Sequence, residues 1–66
     1  MQITVKQLTD TNASRYETVD VHKYAMYQGY DIYTDKDGWY YIQHNGEWNY
    51  FASMNEAKKF IHDIAK

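Results

Sequence analysis

Cysteine is absent from this chain of 66 residues, which excludes disulfides as a source of stability. The three histidines are widely spaced, so a structural zinc site would need ligands from separate elements of the fold. A domain of this size buries only about 60% of the surface that its unfolded chain exposes. Its stability must therefore come from the packing of its own side chains, with or without a second copy of the chain.

Positive charge and long apolar runs are also scarce. The chain has one arginine and a formal net charge of −2, whereas a protein that binds a phosphate backbone needs a clustered basic surface. No apolar run approaches the length of a membrane-spanning helix, and the first residues show no signal-peptide pattern. We therefore expect a cytoplasmic protein with no membrane partner, for which nucleic acid is a disfavoured ligand.

Aromatic residues, in contrast, are abundant and concentrated. Ten of the 28 residues from Tyr24 to Phe51 are aromatic. Tyr and Trp bury roughly 150 to 250 Å² each, so a few of them build a core, and disordered chains are usually poor in them. The composition predicts one folded domain over residues 1–66.

The first 28 residues give mixed signals. Alternation of apolar and polar residues predicts a strand from Ile3 to about Leu8, and the short polar side chains of residues 9–14 predict a mobile loop. Ser14 and Glu17 have the spacing of a helix capping box, which would make residues 15–28 helical. The β-branched residues of this segment, among them Val19 and Val21, favour a strand instead.

The rest of the chain is marked by clear turn and cap signals. Turns at residues 28–29, 35–38 and 45–46 separate strands predicted at 30–34, 39–43 and 47–51, which form a three-stranded meander. Ser53 and Glu56 form the capping box of a helix over 53–66. The sequence thus predicts an α+β fold: a small antiparallel sheet of this meander plus an N-terminal strand or strands, with one C-terminal helix on one face.

The apolar stripe of the helix consists of Ala57, Phe60, Ile61 and Ile64. Period-two geometry places Ile32, Ile42 and Tyr40 together on the sheet face that this stripe would cover. Because Phe60 lies on the stripe, its replacement by alanine is predicted to cost about 3 to 5 kcal/mol, enough to unfold most of a small domain.

One helix covers only one face of a sheet, so the opposite face is the candidate surface for a partner. Trp39 and Tyr41 point to that face, with Tyr33 and Asp31 across the ladder. Trp and Tyr are favoured at interfaces because they offer large area and lose little rotamer entropy. Two alternatives stay open: the N-terminal strand or the segment around Val19 folds over this face, or a second copy of the chain covers it.

Asp31, Asp35, Asp37 and Glu47 lie around the two hairpins with only Lys36 to offset their charge. An acidic, aromatic surface of this kind is suited to competing for a nucleic-acid-binding groove on a partner protein. The alternative is that aspartates stabilise turns and that charge protects edge strands from aggregation.

Catalytic and metal-binding patterns are not evident. Asp35, Asp37 and Gly38 resemble the start of a calcium loop, but Gly46 stands where the loop needs its bidentate acid. Ser53 is used as a cap, and no strained elbow surrounds it or Ser14. We expect a protein without enzymatic activity, cofactor or metal.

The segment YQGYDIYTDKDGWYYIQHNGEWNYFASMNEAKKFI, about half of the chain, resembles small phage and mobile-element proteins that join an aromatic meander to an F-x-S-x-x-E-A-K-x-F-I helix. This resemblance implies an inhibitor of a host protein or defence system, similar to anti-CRISPR proteins. The predicted function is therefore a protein-binding module that docks an aromatic, acidic sheet surface on a host protein.

The order of strands and helix, with W-Y-Y-I and N-G, is also similar to the AP2-like DNA-binding domain of integrases. Such domains lay a basic sheet in a DNA groove, whereas this chain has Asp31, Asp35 and Glu47 on the corresponding strands. A nucleic-acid binder that uses Arg15, Lys23 and Lys36 is the first alternative function, and a self-associating structural protein is the second.

Overall fold

The computed structural model describes residues 1–8 and 14–65, which form six strands and one helix. The elements in chain order are β1 (Gln2–Leu8), β2 (Ser14–Asp20), β3 (His22–Tyr27), β4 (Tyr30–Thr34), β5 (Tyr40–His44), β6 (Glu47–Phe51) and α1 (Met54–Ile64). The antiparallel pair β1–β2 forms one sheet, and the other four strands form a second antiparallel sheet in the order β3-β4-β5-β6. The predicted α+β class is confirmed. The predicted mobile loop falls mainly on residues 9–13, outside the described residues.

Residues 15–20 and 22–27 belong to strands, and the alternative helix does not form. Ser14 and Glu17, the two residues of the possible capping box, both lie in β2, which pairs along its length with β1. The segment divides into two strands at Val21, which is almost fully buried. Beyond Val21, β3 adds a fourth strand to the predicted three-stranded meander.

Two of the turns have the backbone conformation that their residue types favour. Asn45 and Gly46 have φ values of 54° and 80°, and Gln28 and Gly29 have φ values of 50° and 85°. Positive φ at both central residues is the conformation of the tight hairpin turn that joins twisted antiparallel strands. The turn signals in the sequence therefore set the strand boundaries to within about one residue.

The helix begins with the predicted capping box. The backbone N–H of Glu56 donates to Oγ of Ser53 at 3.3 Å, and Oε2 of Glu56 accepts from the N–H of Ala52 at 3.1 Å. Ala57 and Ile61 are buried on the inner side of α1. No helix in the described part of the chain is long and apolar enough to cross a membrane.

The helix covers one face of the four-stranded sheet, as predicted. Ile32 and Ile42 from the sheet and Ala57 and Ile61 from the helix are fully buried against one another. A ring of partly buried side chains surrounds this cluster: Tyr27, Tyr30, Tyr40, Phe51, Met54 and Phe60.

The opposite face of the sheet is also largely covered, so the expectation of an uncovered aromatic face is wrong. The alternative is found instead: the N-terminal strand and the segment around Val19 fold over this face. The β1–β2 hairpin contributes Ile3 and Val5, which form a second core with Val21 and Tyr41. Val19, Tyr33 and Trp48 pack around it. The physical reason is that the hairpin has an apolar face of its own, and packing it on the sheet removes both apolar surfaces from water.

Candidate functional site

The three aromatic residues predicted to contact a partner have different environments. Tyr41 is only 5% exposed because it lies beneath the hairpin, and Tyr33 is half-buried beside Trp48, with ring centroids 5.4 Å apart. Trp39 is 41% exposed. Of these three rings, Trp39 therefore offers the most surface to a partner.

The four predicted acidic residues divide between the two ends of the sheet. Asp31 and Glu47 lie near the β3–β4 and β5–β6 turns, and the Asp31 carboxylate pairs with Nζ of Lys23 at 3.2 Å. Asp35 and Asp37 lie at the other end, in the turn between β4 and β5. Because five strand residues span roughly 15 Å, the two pairs do not form one acidic surface.

The turn over residues 35–39 is organised by the carboxylate of Asp35. Its Oδ1 accepts hydrogen bonds from the backbone N–H groups of Asp37 at 2.9 Å and Trp39 at 3.0 Å, and its Oδ2 accepts from the Tyr41 hydroxyl at 2.7 Å. The hydroxyl of Thr34 donates to the carbonyl oxygen of Trp39 at 2.9 Å. The backbone of Trp39 is thus held through both its N–H and its carbonyl group.

These hydrogen bonds set the electrostatics of the turn. Burial acts to raise the pKa of Asp35, but the hydrogen bonds from the Tyr41 hydroxyl and from backbone N–H groups outweigh it and lower this pKa. Burial raises the pKa of Tyr41, and its hydrogen bond to Asp35 raises it further. The negative charges of Asp35, Asp37 and Glu17 act in the same direction. Asp35 is therefore the anionic acceptor and Tyr41 the neutral donor.

A groove of about 590 Å³ opens between this turn and the segment around β2. It is lined by Glu17, Thr18, Val19, Asp20, His22, Asp35, Lys36, Asp37, Trp39 and Tyr41. Half of these residues belong to β2 or the start of β3, and none of those five was among the predicted contacts. Their alternation predicts a strand, but no local pattern indicates that the strand lies over the 35–39 turn.

The groove carries an excess of negative charge. Four of its residues bear carboxylates, and Lys36 is its one lysine. Asp35 is occupied within the turn, and Asp20 pairs with the N-terminal ammonium of Met1 at 3.2 Å. Glu17 and Asp37 form no ion pair with any other residue that the structure describes.

The groove has no evident metal centre. Within the described residues, no three His, Cys, Asp or Glu side chains converge in an arrangement that could hold a metal ion. His44 lies between the rings of Tyr30 and Phe60, with centroid distances of 6.3 and 6.0 Å, and His22 lines the groove. What the groove offers is an aromatic ring beside carboxylates.

Comparisons with protein-family models, with curated proteins and with solved structures find no match to this chain. The groove itself therefore supplies the structural evidence for a function.

Proposed function

We propose that this chain is a non-enzymatic protein-binding module whose contact surface is Trp39 and the groove beside it. The observation that carries this proposal is the 41% exposure of Trp39 at the edge of a groove of about 590 Å³. Three other large rings on the same sheet face, Tyr33, Tyr41 and Trp48, pack against or within the hairpin core. An exposed Trp beside a concave surface is the kind of residue that most often dominates a protein interface.

The geometry of the turn supports the same role. Asp35 and Thr34 fix the backbone of Trp39 before any partner arrives, so less conformational entropy is lost on binding. Tyr50 enlarges the aromatic surface, because it is 39% exposed and its ring centroid lies 5.7 Å from that of Trp39. Two adjacent exposed rings on a rigid sheet provide a preorganised contact area.

The proposed partner is a host protein, and the proposed role is inhibition in the cytoplasm, as with anti-CRISPR proteins. Support for this part comes from the resemblance of residues 27–61 to small phage and mobile-element proteins. The acidic groove is consistent with it, because such a surface suits a partner whose own site is basic.

Nucleic-acid binding is not supported by the charges around the sheet. The hairpin covers the face that would lie in a DNA groove, and Lys23 is paired with Asp31. Lys36 lies in the groove among carboxylates. The side chain of Arg15, the third predicted contact, lies outside the described part of the structure.

A pull-down of tagged protein from nuclease-treated host lysate tests the proposal, with Trp39→Ala compared to the wild type. Tyr16→Ala is the matched control, because Tyr16 is 66% exposed but does not line the groove. We expect one stoichiometric protein to be captured by the wild type and the Tyr16 variant and lost in the Trp39 variant. Equal capture by all three folded proteins would contradict the proposal, and so would capture of no protein.

A further inference from the structure

We infer that the groove receives a cationic side chain of the partner protein, with arginine favoured over lysine. This inference rests on the proposed function and adds the chemistry of the group that is bound. It follows from three features of the groove: carboxylates that form no ion pair with any described residue, an aromatic ring beside them, and a volume that fits a long side chain.

The first feature is that some carboxylates of the groove have partners within the chain and others do not. The carboxylate of Asp35 is occupied within the turn. Its two oxygens accept three hydrogen bonds, from the backbone N–H groups of Asp37 and Trp39 and from the Tyr41 hydroxyl. Glu17 and Asp37 have no ion-pair partner among the described residues, yet both face the same opening. The negative charges of Glu17 and Asp37 both raise the pKa of Tyr41, so both carboxylates act on the same side of the groove. Like charges held in one groove repel each other, and a bound cation offsets that repulsion.

The second feature is the indole of Trp39, which lines the groove with these carboxylates. Trp is the aromatic side chain that attracts cations most strongly over its face. A planar guanidinium both stacks on an indole and donates two hydrogen bonds to carboxylates, whereas an ammonium is a compact point charge. The combination of Trp39 with Glu17 and Asp37 therefore favours arginine.

The third feature is the volume of the groove. The volume of about 590 Å³ lies within the range of ligand pockets, roughly 300 to 1,000 Å³, and accommodates a long side chain with part of its backbone.

An NMR titration of the full chain tests the inference with three capped peptides that differ at one position: Gly-Ser-Arg-Gly-Ser, its lysine form and its citrulline form. Citrulline keeps the shape of arginine and removes the charge. We expect the indole N–H of Trp39 and the backbone N–H of Asp37 to shift with the arginine peptide, less with lysine, and not with citrulline. Equal shifts with citrulline, or no shift at about 10 mM arginine peptide, would overturn the inference.

Charge variants provide the second arm of the experiment. Glu17→Gln and Asp37→Asn are each expected to weaken binding of the arginine peptide by about two- to five-fold, the range of exposed ion pairs. Glu47→Gln is the matched control, because it removes the same charge from an exposed residue at the other end of the sheet. An equal loss in the Glu47 variant would mean that net charge alone attracts the peptide, and the inference would fail.

The same variants separate this inference from the proposed function. If the captured host protein depends on Trp39 but is retained by the Glu17 and Asp37 variants, the protein-binding function stands and the cationic occupant is wrong. If no captured protein depends on Trp39, the proposed function fails whatever the peptides do.

Discussion

Replacing Tyr41 with phenylalanine removes one hydroxyl from a nearly fully buried residue and leaves the ring in place. That hydroxyl donates to Oδ2 of Asp35 at 2.7 Å, and the other carboxylate oxygen is already used by two backbone N–H groups. The variant therefore deletes one charge-assisted hydrogen bond without opening a large cavity. It isolates the contribution of the link between the 35–39 turn and the second core.

The expected loss follows from the type of bond. Hydrogen bonds to charged groups contribute about 1.5 to 3 kcal/mol, roughly twice as much as those between neutral groups. A domain of 66 residues has a total stability of about 3 to 10 kcal/mol. Tyr41→Phe is thus expected to remove a substantial fraction of the free energy of unfolding.

Urea denaturation followed by tryptophan fluorescence measures this loss. With a slope of about 1 kcal/mol per molar urea for a small domain, the midpoint should fall by roughly 1.5 to 3 M. Tyr50→Phe is the control, because Tyr50 is the cross-strand neighbour of Tyr41 and forms no hydrogen bond through its hydroxyl with any described residue. A loss below about 0.5 kcal/mol in Tyr41→Phe, or an equal loss in the control, would refute the argument.

The pH dependence of the difference between wild type and Tyr41→Phe gives an independent check. The pKa of Asp35 is lowered in the folded state, so its contribution is present above the unfolded value of about 3.9 and is lost as the pH falls through the folded value. The pKa of Tyr41 is raised, so its contribution is present below about 10 and declines at higher pH. The difference in stability should be greatest between about pH 5 and 9 and should shrink on both sides. A difference that does not shrink on the acid side would show that the loss comes from packing, because burial of Tyr41 by itself produces the decline at high pH.

Four further substitutions test the framework of the fold by urea denaturation. Ile61→Ala should cost about 2 to 5 kcal/mol, because Ile61 is fully buried between helix and sheet. Phe60→Ala should cost less than the roughly 3 to 5 kcal/mol predicted from the sequence, because the structure leaves Phe60 partly exposed. Ser53→Ala should cost about 0.5 to 2 kcal/mol, since it removes the acceptor of the Glu56 N–H, and a neutral result would show that the cap is dispensable. Gly46→Ala should cost about 1 to 2 kcal/mol at a φ of 80°, and since a Cβ there meets nothing within 4 Å, a larger loss would contradict a purely backbone effect.

The parts of the fold that the sequence predicts well are those with local causes. The Asn45-Gly46 turn and the cap formed by Ser53 and Glu56 depend on residues within four positions of each other. The alternation of apolar and polar residues predicts which side of a strand is buried. Ile32 and Ile42 lie on the side where the apolar stripe of the helix packs. These features need no knowledge of distant parts of the chain.

The placement of the hairpin depends on distant parts of the chain, and it decides the candidate site. Trp39 and Tyr41 have the same parity on the strand that the sequence predicts over 39–43, so the sequence assigns them the same role. In the structure Trp39 is exposed, whereas Tyr41 is buried against Val5 and Val21. Tyr41 belongs to the second core, whereas Trp39 lies outside that core and lines the groove beside β2. Period-two geometry identifies which residues share a face of the sheet, but only the tertiary fold shows which of them the hairpin buries.

The acidic residues of the 35–39 turn illustrate why composition alone could not identify the site. Asp35 and Asp37 are equivalent in the sequence as turn-forming aspartates, and both add to the negative charge. The carboxylate of Asp35 is directed inward to the Tyr41 hydroxyl and holds Trp39 in position, while Asp37 keeps its carboxylate free at the groove. One aspartate therefore builds the site and the other is available to a ligand. Replacing Asp35 should disturb the position of Trp39 and the stability of the fold together, whereas replacing Asp37 should change the charge of the groove alone.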